Sequence, residues 1–437
     1  MKRIRTKPQN AKPVRSALVE IEKPIYGGAF LARLEGKATF VPLTLPGEQA
    51  RVRIVEEKRG YAMAEPEDIV TTARERVVPG CHHFGVCGGC NYQHANYQSQ
   101  LEFKQAILRE TFQRGGVSAP EKIEVLAGNP WQYRNRIRLA LDGGGRIGYR
   151  ARRSHDLVPI NECPIASPLL VRAALQAAQI LQSIKPPIRP TEISLFSNAE
   201  ETELLASIFV RDSATRDIEQ FFVDWKERIP ALRGAEVVEE GRAGKPERAF
   251  AQFGESSLTY CAGGVNYRVD HGAFFQVNRW LIDALVDRVT AGRRGEHAWD
   301  LFAGVGLFAR RLAGSFAHVN AVESAPAAMK ALAHNLDGTA GSCVKAETLA
   351  FLNAQEKTTR PDLIVVDPPR IGLGAETTSL LAKVGAPTIV YISCDPATLA
   401  RDLRALIDAG YSLSSVTLAD LFPQTFHLES VVELRRS

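Results

Sequence analysis

Apolar and polar residues alternate in short runs from Ala17 to about residue 64. Leu18-Val19-Glu20-Ile21, Ala38-Thr39-Phe40-Val41-Pro42, Ala50-Arg51-Val52-Arg53-Ile54-Val55 and Tyr61-Ala62-Met63-Ala64 predict strands, punctuated by turns at Tyr26-Gly27-Gly28 and Pro46-Gly47-Glu48. Four or five strands in about 55 residues predict a small barrel of the oligonucleotide-binding kind. Arg51 and Arg53, two apart, lie on one face of it. Next, Leu101, Ile107, Leu108 and Phe112 recur at helical spacing within 96–112. A second helix is expected over 168–184, strands over 192–196 and 203–210, and a charged loop over 238–248. This makes the middle of the chain α+β. From Tyr267 onward strands at 297–302, 318–322, 363–366 and 388–393 alternate with helices at 307–312, 325–336, 375–381 and 396–409. Two more strands follow at 413–418 and 429–434. Such alternation predicts a mostly parallel, doubly wound α/β sheet.

At 437 residues the chain exceeds one ordinary core. The pattern divides it into a barrel at 17–75, a central region at 76–266, whose helix at 96–114 can dock on the next domain, and an α/β domain at 267–437. Residues 1–16 are polar, basic and Pro-containing, and are expected to be disordered. Hydrophobic content of 45% and charged content of 24% are those of a soluble globular protein. No window approaches the ~18 apolar residues of a membrane span, and no signal-peptide core is present, so a cytoplasmic protein is expected. The net charge of +5 is unevenly placed. Residues 1–60 hold 13 Lys/Arg against six acids, and 134–153 hold seven arginines with Asp142 the sole acid. Such clustering suits a polyphosphate partner or a solvated face.

Three features carry chemistry. Asp300-Leu301-Phe302-Ala303-Gly304-Val305-Gly306 reads as a strand end followed by a glycine turn that lets backbone approach a ligand. About 20 residues on, Glu323 ends the next strand, where a carboxylate can bind a ribose diol. Two glycines and no Lys-Ser/Thr pair fit neither NAD nor ATP. Asp367-Pro368-Pro369-Arg370 closes another strand and projects Asp367 over the same sheet end. Cys394, in Ser393-Cys394-Asp395-Pro396, sits between a buried strand and a helix. A nucleophile is expected there, with the helix N-terminus assisting its ionisation. Cys81, Cys87 and Cys90, with Cys163-Pro164 about 73 residues later, set three thiols plus one around a Gly-rich loop. In a reducing compartment this means an iron–sulfur cluster, zinc, or unrelated buried cysteines. The three-plus-one spacing and the Cys-Pro favour iron–sulfur. Cys261 and Cys343 read as small core residues.

From Ala17 to Leu434 these motifs resemble the RNA (uracil-5-)-methyltransferase family. The resemblance implies a TRAM barrel, a central domain holding a 4Fe–4S cluster on Cys81, Cys87, Cys90 and Cys163, and a Rossmann-like class I methyltransferase domain. Phe274-Phe275-Gln276-Val277-Asn278 matches the segment that opens the catalytic domain. Phe422-Pro423-Gln424-Thr425-Phe426-His427-Leu428-Glu429 matches the segment bearing the base. The implied roles are Cys394 as nucleophile and Glu429 as base. The implied S-adenosylmethionine contacts are Gln276, Asp300, Phe302, Gly304, Gly306, Glu323, Glu347 and Asp367. The implied substrate is a uridine in RNA, with 23S rRNA favoured over tRNA, acted on by a monomer. Three positions depart from the family: Asp395 replaces Asn after the nucleophile, Leu307 replaces a polar cofactor contact, and Ala303 replaces a common Cys. Two other classes compete. A non-catalytic RNA-binding protein would have lost Cys394 or Glu429. A radical enzyme would carry a three-cysteine loop of different spacing, with one iron site left open.

Overall fold

A computed structural model describes residues 15–183, 190–211, 218–241, 247–355 and 360–436. The first 14 residues of the stretch expected to be disordered lie outside that set, and Ser16 already opens the first strand. Strands Ser16–Pro24, Ala29–Leu34, Lys37–Pro42, Gln49–Glu57 and Tyr61–Thr71 close into a barrel. Alternation sets its interior: Val19, Ile21, Phe30, Val41, Ala50 and Val52 are buried, while Arg51 and Arg53 face outward.

The central region is built on a seven-stranded sheet. It includes Arg136–Leu141, the paired strands Pro190–Ser197 and Leu204–Val210, and the strands Leu232–Glu239 and Arg248–Gly254. Helices Pro168–Ser183 and Ile218–Arg228 bury their apolar sides against it. Val238 and Glu239, expected in a loop, end one strand. Residues 242–246 of that loop lie outside the described set. The basic stretch 134–153 is partly structural. Arg136 and Arg138 stack on Phe196 and Phe209, and Arg152 and Arg153 pair with Glu65 of the barrel.

The third sheet has eight strands. In spatial order they are Gly341–Lys345, Phe316–Glu323, Gly295–Leu301, Leu363–Val366, Thr388–Ser393, Glu429–Arg436, Tyr411–Ala419 and Glu124–Leu126. The first five are mutually parallel, and Glu429–Arg436 runs antiparallel to its neighbours. The chain reverses its direction of winding between Gly295–Leu301 and Leu363–Val366, which is where open α/β sheets bind ligands.

Upstream residues complete this sheet. Glu124–Leu126 pairs with Thr417–Ala419 at its edge. Helix Tyr97–Arg114 packs Ile107, Leu108 and Phe112 into one core with Leu399 and Leu403 of helix Pro396–Asp408. The hairpin Ser257–Ala262/Val265–Asp270 buries Tyr260 and Tyr267 in the core on the opposite face. Cys261 is a correction: it lies exposed on this hairpin, because Tyr260 and Ala262 take the inward positions. Cys343 packs against the core as expected.

Candidate active site

Neighbouring strands end together in register, with Leu301 opposite both Val322 and Val366, and Val366 opposite Tyr391. Phe302, Glu323 and Asp367 therefore emerge side by side at the carboxyl end of the sheet. Phe302, Gly304 and Gly306 have φ of +66°, +56° and +87°. These left-handed residues curl the loop back over the strand ends. A Cβ on Gly304 would meet nothing within 4 Å, whereas one on Gly306 would lie 2.8 Å from Leu332. Gly304 thus fronts open space, and Gly306 is favoured chiefly by its left-handed backbone.

Asp300 is fully buried. Its Oδ2 accepts from the Ala309 N–H at 2.8 Å, and Oδ1 has no partner among the described residues. Burial pushes its pKa up to about 8, with Asp367 and Glu323 adding to the rise and the Ala309 N–H opposing it. Glu323 accepts from the Gly304 N–H at 2.8 Å and from the Ser324 and Ala325 N–H groups at 2.7 Å. The ribose-binding carboxylate expected there is thereby oriented, with lone pairs remaining. Gln276 is buried and donates to Asp367 at 3.4 Å. Glu347 is exposed just past strand Gly341–Lys345, at the same sheet end. Leu307 turns its side chain into the core, and only its carbonyl is engaged, by the Tyr267 hydroxyl. An orphaned carboxylate oxygen, an open glycine cradle and an oriented carboxylate at a ribose position fit S-adenosylmethionine.

Cys394 follows strand Thr388–Ser393 and is half-buried. Glu429, buried, opens the antiparallel neighbour, where Ser393 pairs with Ser430. Burial pushes the Cys394 thiol up to about 11. The Glu429 and Asp367 carboxylates add to this, and the Arg370 guanidinium opposes it. Glu429 is raised well above the usual carboxylate range by burial and then by Asp367, and Arg370 again opposes. Asp367 is raised to about 7 by burial. Cys394, Glu429 and Asp367 therefore form one mutually repelling group with Arg370 as the named counter-charge. Arg370 also contacts His427 Nδ1 at 3.0 Å.

The expected help from the helix N-terminus is offset. Asp395 caps that helix, its Oδ1 accepting from the Ala397 and Thr398 N–H groups at 3.0 and 2.9 Å. This role needs only an acceptor, and Asp and Asn serve equally as N-caps. The Asp395 departure is thus explained. Sequence reasoning assigned no role to Arg370 or to Tyr26, whose hydroxyl donates to the Cys394 carbonyl at 3.3 Å. The place of Arg370 directly after Asp367-Pro368-Pro369 was the available signal. Tyr26 offered none, because it reaches the site from the barrel.

The other four expected thiols, Cys81, Cys87, Cys90 and Cys163, line one cavity of about 300 Å³. The Tyr149 hydroxyl lies 3.6 Å from Cys163 Sγ, and the Gly89 N–H lies 3.4 Å from Cys87 Sγ. A Cβ on Gly88 would sit 3.1 Å from the Arg150 carbonyl, so glycine lets this loop seat against the central sheet. Among the described residues no three Cys, His, Asp or Glu side chains are grouped to hold a single ion.

A doubly wound sheet with a ribose-type carboxylate, a glycine cradle and a thiol beside buried carboxylates defines a class I, S-adenosylmethionine-dependent methyltransferase. Residues 96–437 match the family described as tRNA (Uracil-5-)-methyltransferase, and residues 12–66 match the TRAM domain. The chain belongs to this family of RNA uracil-C5 methyltransferases. It is 34% identical over 433 residues to the 23S rRNA (uracil(1939)-C(5))-methyltransferase RlmD of Chromohalobacter salexigens, covering 96% of this chain and 89% of that one. It is 31% identical over 442 residues to the RlmD of Shewanella piezotolerans, covering 98% and 97%. The fold matches the crystal structure of the Pyrococcus abyssi tRNA (uracil-54, C5)-methyltransferase in complex with S-adenosyl-L-homocysteine. That match has a TM-score of 0.77 at 24% identity, over 95% of this chain and all of the other. No described helix is long and apolar enough to cross a membrane.

Proposed function

We propose that this protein methylates C5 of one uridine in 23S rRNA, with Cys394 as nucleophile and Glu429 as base. The observation that carries the reading is the convergence of Cys394, Glu429 and Asp367 at the ends of adjoining strands, beside the glycine cradle. C5 of uracil is a weak nucleophile. The Cys394 thiolate adds to C6, and the electron pair moves toward O4 to give an enolate whose C5 is a carbon nucleophile. S-adenosylmethionine, when bound, would supply the electrophilic methyl group, its sulfur keeping the C–S electron pair as S-adenosylhomocysteine leaves. C5 takes that methyl, Glu429 removes the C5 proton, and the pair left behind expels the Cys394 sulfur from C6. Gln276, Asp300, Phe302, Gly304, Gly306, Glu323, Glu347 and Asp367 hold the cofactor. Attack at C6 comes from the ring face, so the uridine must be unstacked and flipped out. The barrel holds the surrounding RNA.

Full-length likeness to rRNA enzymes favours 23S rRNA. The alternative is uridine 54 of tRNA, the target named for the archaeal structure. We assign the four-thiol cavity to a 4Fe–4S cluster held by Cys81, Cys87, Cys90 and Cys163. The three-plus-one spacing, the Cys-Pro and the cavity that the four thiols share support a cluster over zinc. The protein is read as a cytoplasmic monomer of three units, at 17–75, 76–266 and 267–437. Helix Tyr97–Arg114, strand Glu124–Leu126 and the hairpin 257–270 pack with the last of these.

Labelled S-adenosylmethionine is incubated with separate rRNA and tRNA pools lacking the modification, and the product is mapped. Label in 23S rRNA as 5-methyluridine is expected, and label in neither pool would sink the proposal. Cys394→Ala should lower transfer by at least about 10³-fold, in line with losing a covalent nucleophile. RNA containing 5-fluorouridine should trap the wild-type protein covalently, because fluorine leaves Glu429 no C5 proton to remove.

A further inference from the structure

Tyr26 belongs to the turn between the first two barrel strands, yet it lies at the nucleophile. Its hydroxyl donates to the Cys394 carbonyl at 3.3 Å. Its ring meets Phe426 edge-on, with centroids 5.7 Å apart. One barrel residue thus touches both the corner that carries the thiol and the turn that leads to Glu429. The following glycines make this approach possible. Gly27 and Gly28 have φ of +105° and +87°, and a Cβ on Gly28 would lie 3.1 Å from both Phe426 and Asn91. A side chain there would strain the left-handed backbone and crowd Phe426 and Asn91. Tyr26 also lines a groove of about 380 Å³ between the barrel and helix Tyr97–Arg114, where Lys23 and Arg114 both pair with Glu110 and Arg33 pairs with Glu22. RNA lying in that groove would bear on Tyr26.

We propose that Tyr26 is a positioning residue for the nucleophile: it fixes the Cys394 corner through the carbonyl and couples RNA held on the barrel to the thiol. The strand-to-helix corner is short, and its other ties come from itself or from the catalytic domain, where the Ser430 hydroxyl donates to the Ser393 carbonyl at 3.4 Å and the Thr398 hydroxyl to the Arg370 carbonyl at 3.1 Å. The Ser393 hydroxyl donates to the Asp395 carbonyl at 3.1 Å, and Asp395 caps the helix. The Tyr26 hydrogen bond comes from 368 residues away. It therefore ties the position of the thiol to the seating of the barrel. This inference rests on Cys394 being the nucleophile.

The test uses the full-length protein and 23S rRNA transcribed with 5-fluorouridine. RNA affinity is measured by filter binding, and the rate of covalent trapping at saturating RNA is measured with cofactor present. Tyr26→Phe removes only the hydroxyl. It should leave affinity within about twofold and slow trapping roughly 3- to 10-fold, the range expected for one neutral hydrogen bond. Tyr26→Ala, which also loses the Phe426 contact, should slow trapping further. Trapping by Tyr26→Phe at the wild-type rate would overturn the proposal. So would weaker RNA binding with an unchanged trapping rate, which would make Tyr26 a plain RNA contact. If the wild-type protein traps neither this RNA nor tRNA containing 5-fluorouridine, the reading of Cys394 falls and this inference falls with it. Wild-type trapping with an unaffected Tyr26→Phe sinks the inference alone.

Discussion

Asp300 shows how a single residue sets the electrostatics of the cofactor pocket. Its folded pKa of about 8 lies above the ~3.9 of an unfolded aspartate. The folded state therefore holds this proton longer. The stability that it contributes is full below about pH 4 and is lost as pH rises through about 8. Asp367, raised to about 7, acts in the same direction. Asp300→Asn keeps an oxygen to accept from the Ala309 N–H. Urea unfolding of the cofactor-free variant should show a flatter dependence on pH between 4 and 8 than the wild type. An unchanged slope would mean that Asp300 stays ionised in the fold. The position of Asp300 was legible from the strand-plus-glycine pattern. Its protonation was not, because the packing that buries it and the carboxylates that add to the rise come from other strands. Asp395 is the converse case. The sequence marked it as a departure, and only the capping geometry shows why Asp serves there.

At the scale of elements, helix Tyr97–Arg114 was legible as a helix from its apolar spacing, but the polar residues on its buried side were not. Lys104 is fully buried, and its Nζ donates to Asp420 at 2.5 Å and to the Phe422 carbonyl at 2.9 Å. Gln100 and Gln424 exchange two hydrogen bonds of 2.9 Å. The partners lie more than 300 residues downstream, beyond the reach of any periodicity. Together they hold the turn that leads to Glu429. Lys104→Met leaves Asp420 charged, buried and without its cation, and it should cost about 3–5 kcal/mol in denaturant unfolding. A loss under about 1 kcal/mol would show that the pair is dispensable. Strand Glu124–Leu126 and the hairpin 257–270 escaped sequence reading for a related reason: short strands are specified by the edge or core that they join.

Across the whole molecule, the cysteine loop and the turn that leads to Glu429 are directly bonded. Asn91 and Tyr92, immediately after Cys90, donate their N–H groups to the Gln424 carbonyl at 2.9 and 3.0 Å. The four-cysteine spacing was legible, but this link was not. Anaerobically purified protein should hold iron rather than zinc by metal analysis. Cys163→Ser should lose that iron and speed hydrogen exchange at the Asn91 and Tyr92 amides, since the loop would open locally. Zinc in the purified protein, or unchanged exchange after the metal is lost, would contradict the assignment.

The edge strand Glu124–Leu126 also has a history. Its partner, Thr417–Ala419, lies 293 residues later. At about 5–20 residues per second, roughly 15–60 s of synthesis separate the two. Throughout that time the apolar side of helix Tyr97–Arg114, with Ile107, Leu108 and Phe112, has no sheet to cover it. The newborn chain carries that segment uncovered until the strands and helix that face it, up to Leu434, have been made. Its maturation therefore depends on how quickly residues 97–126 find the late-made sheet and helix that they join.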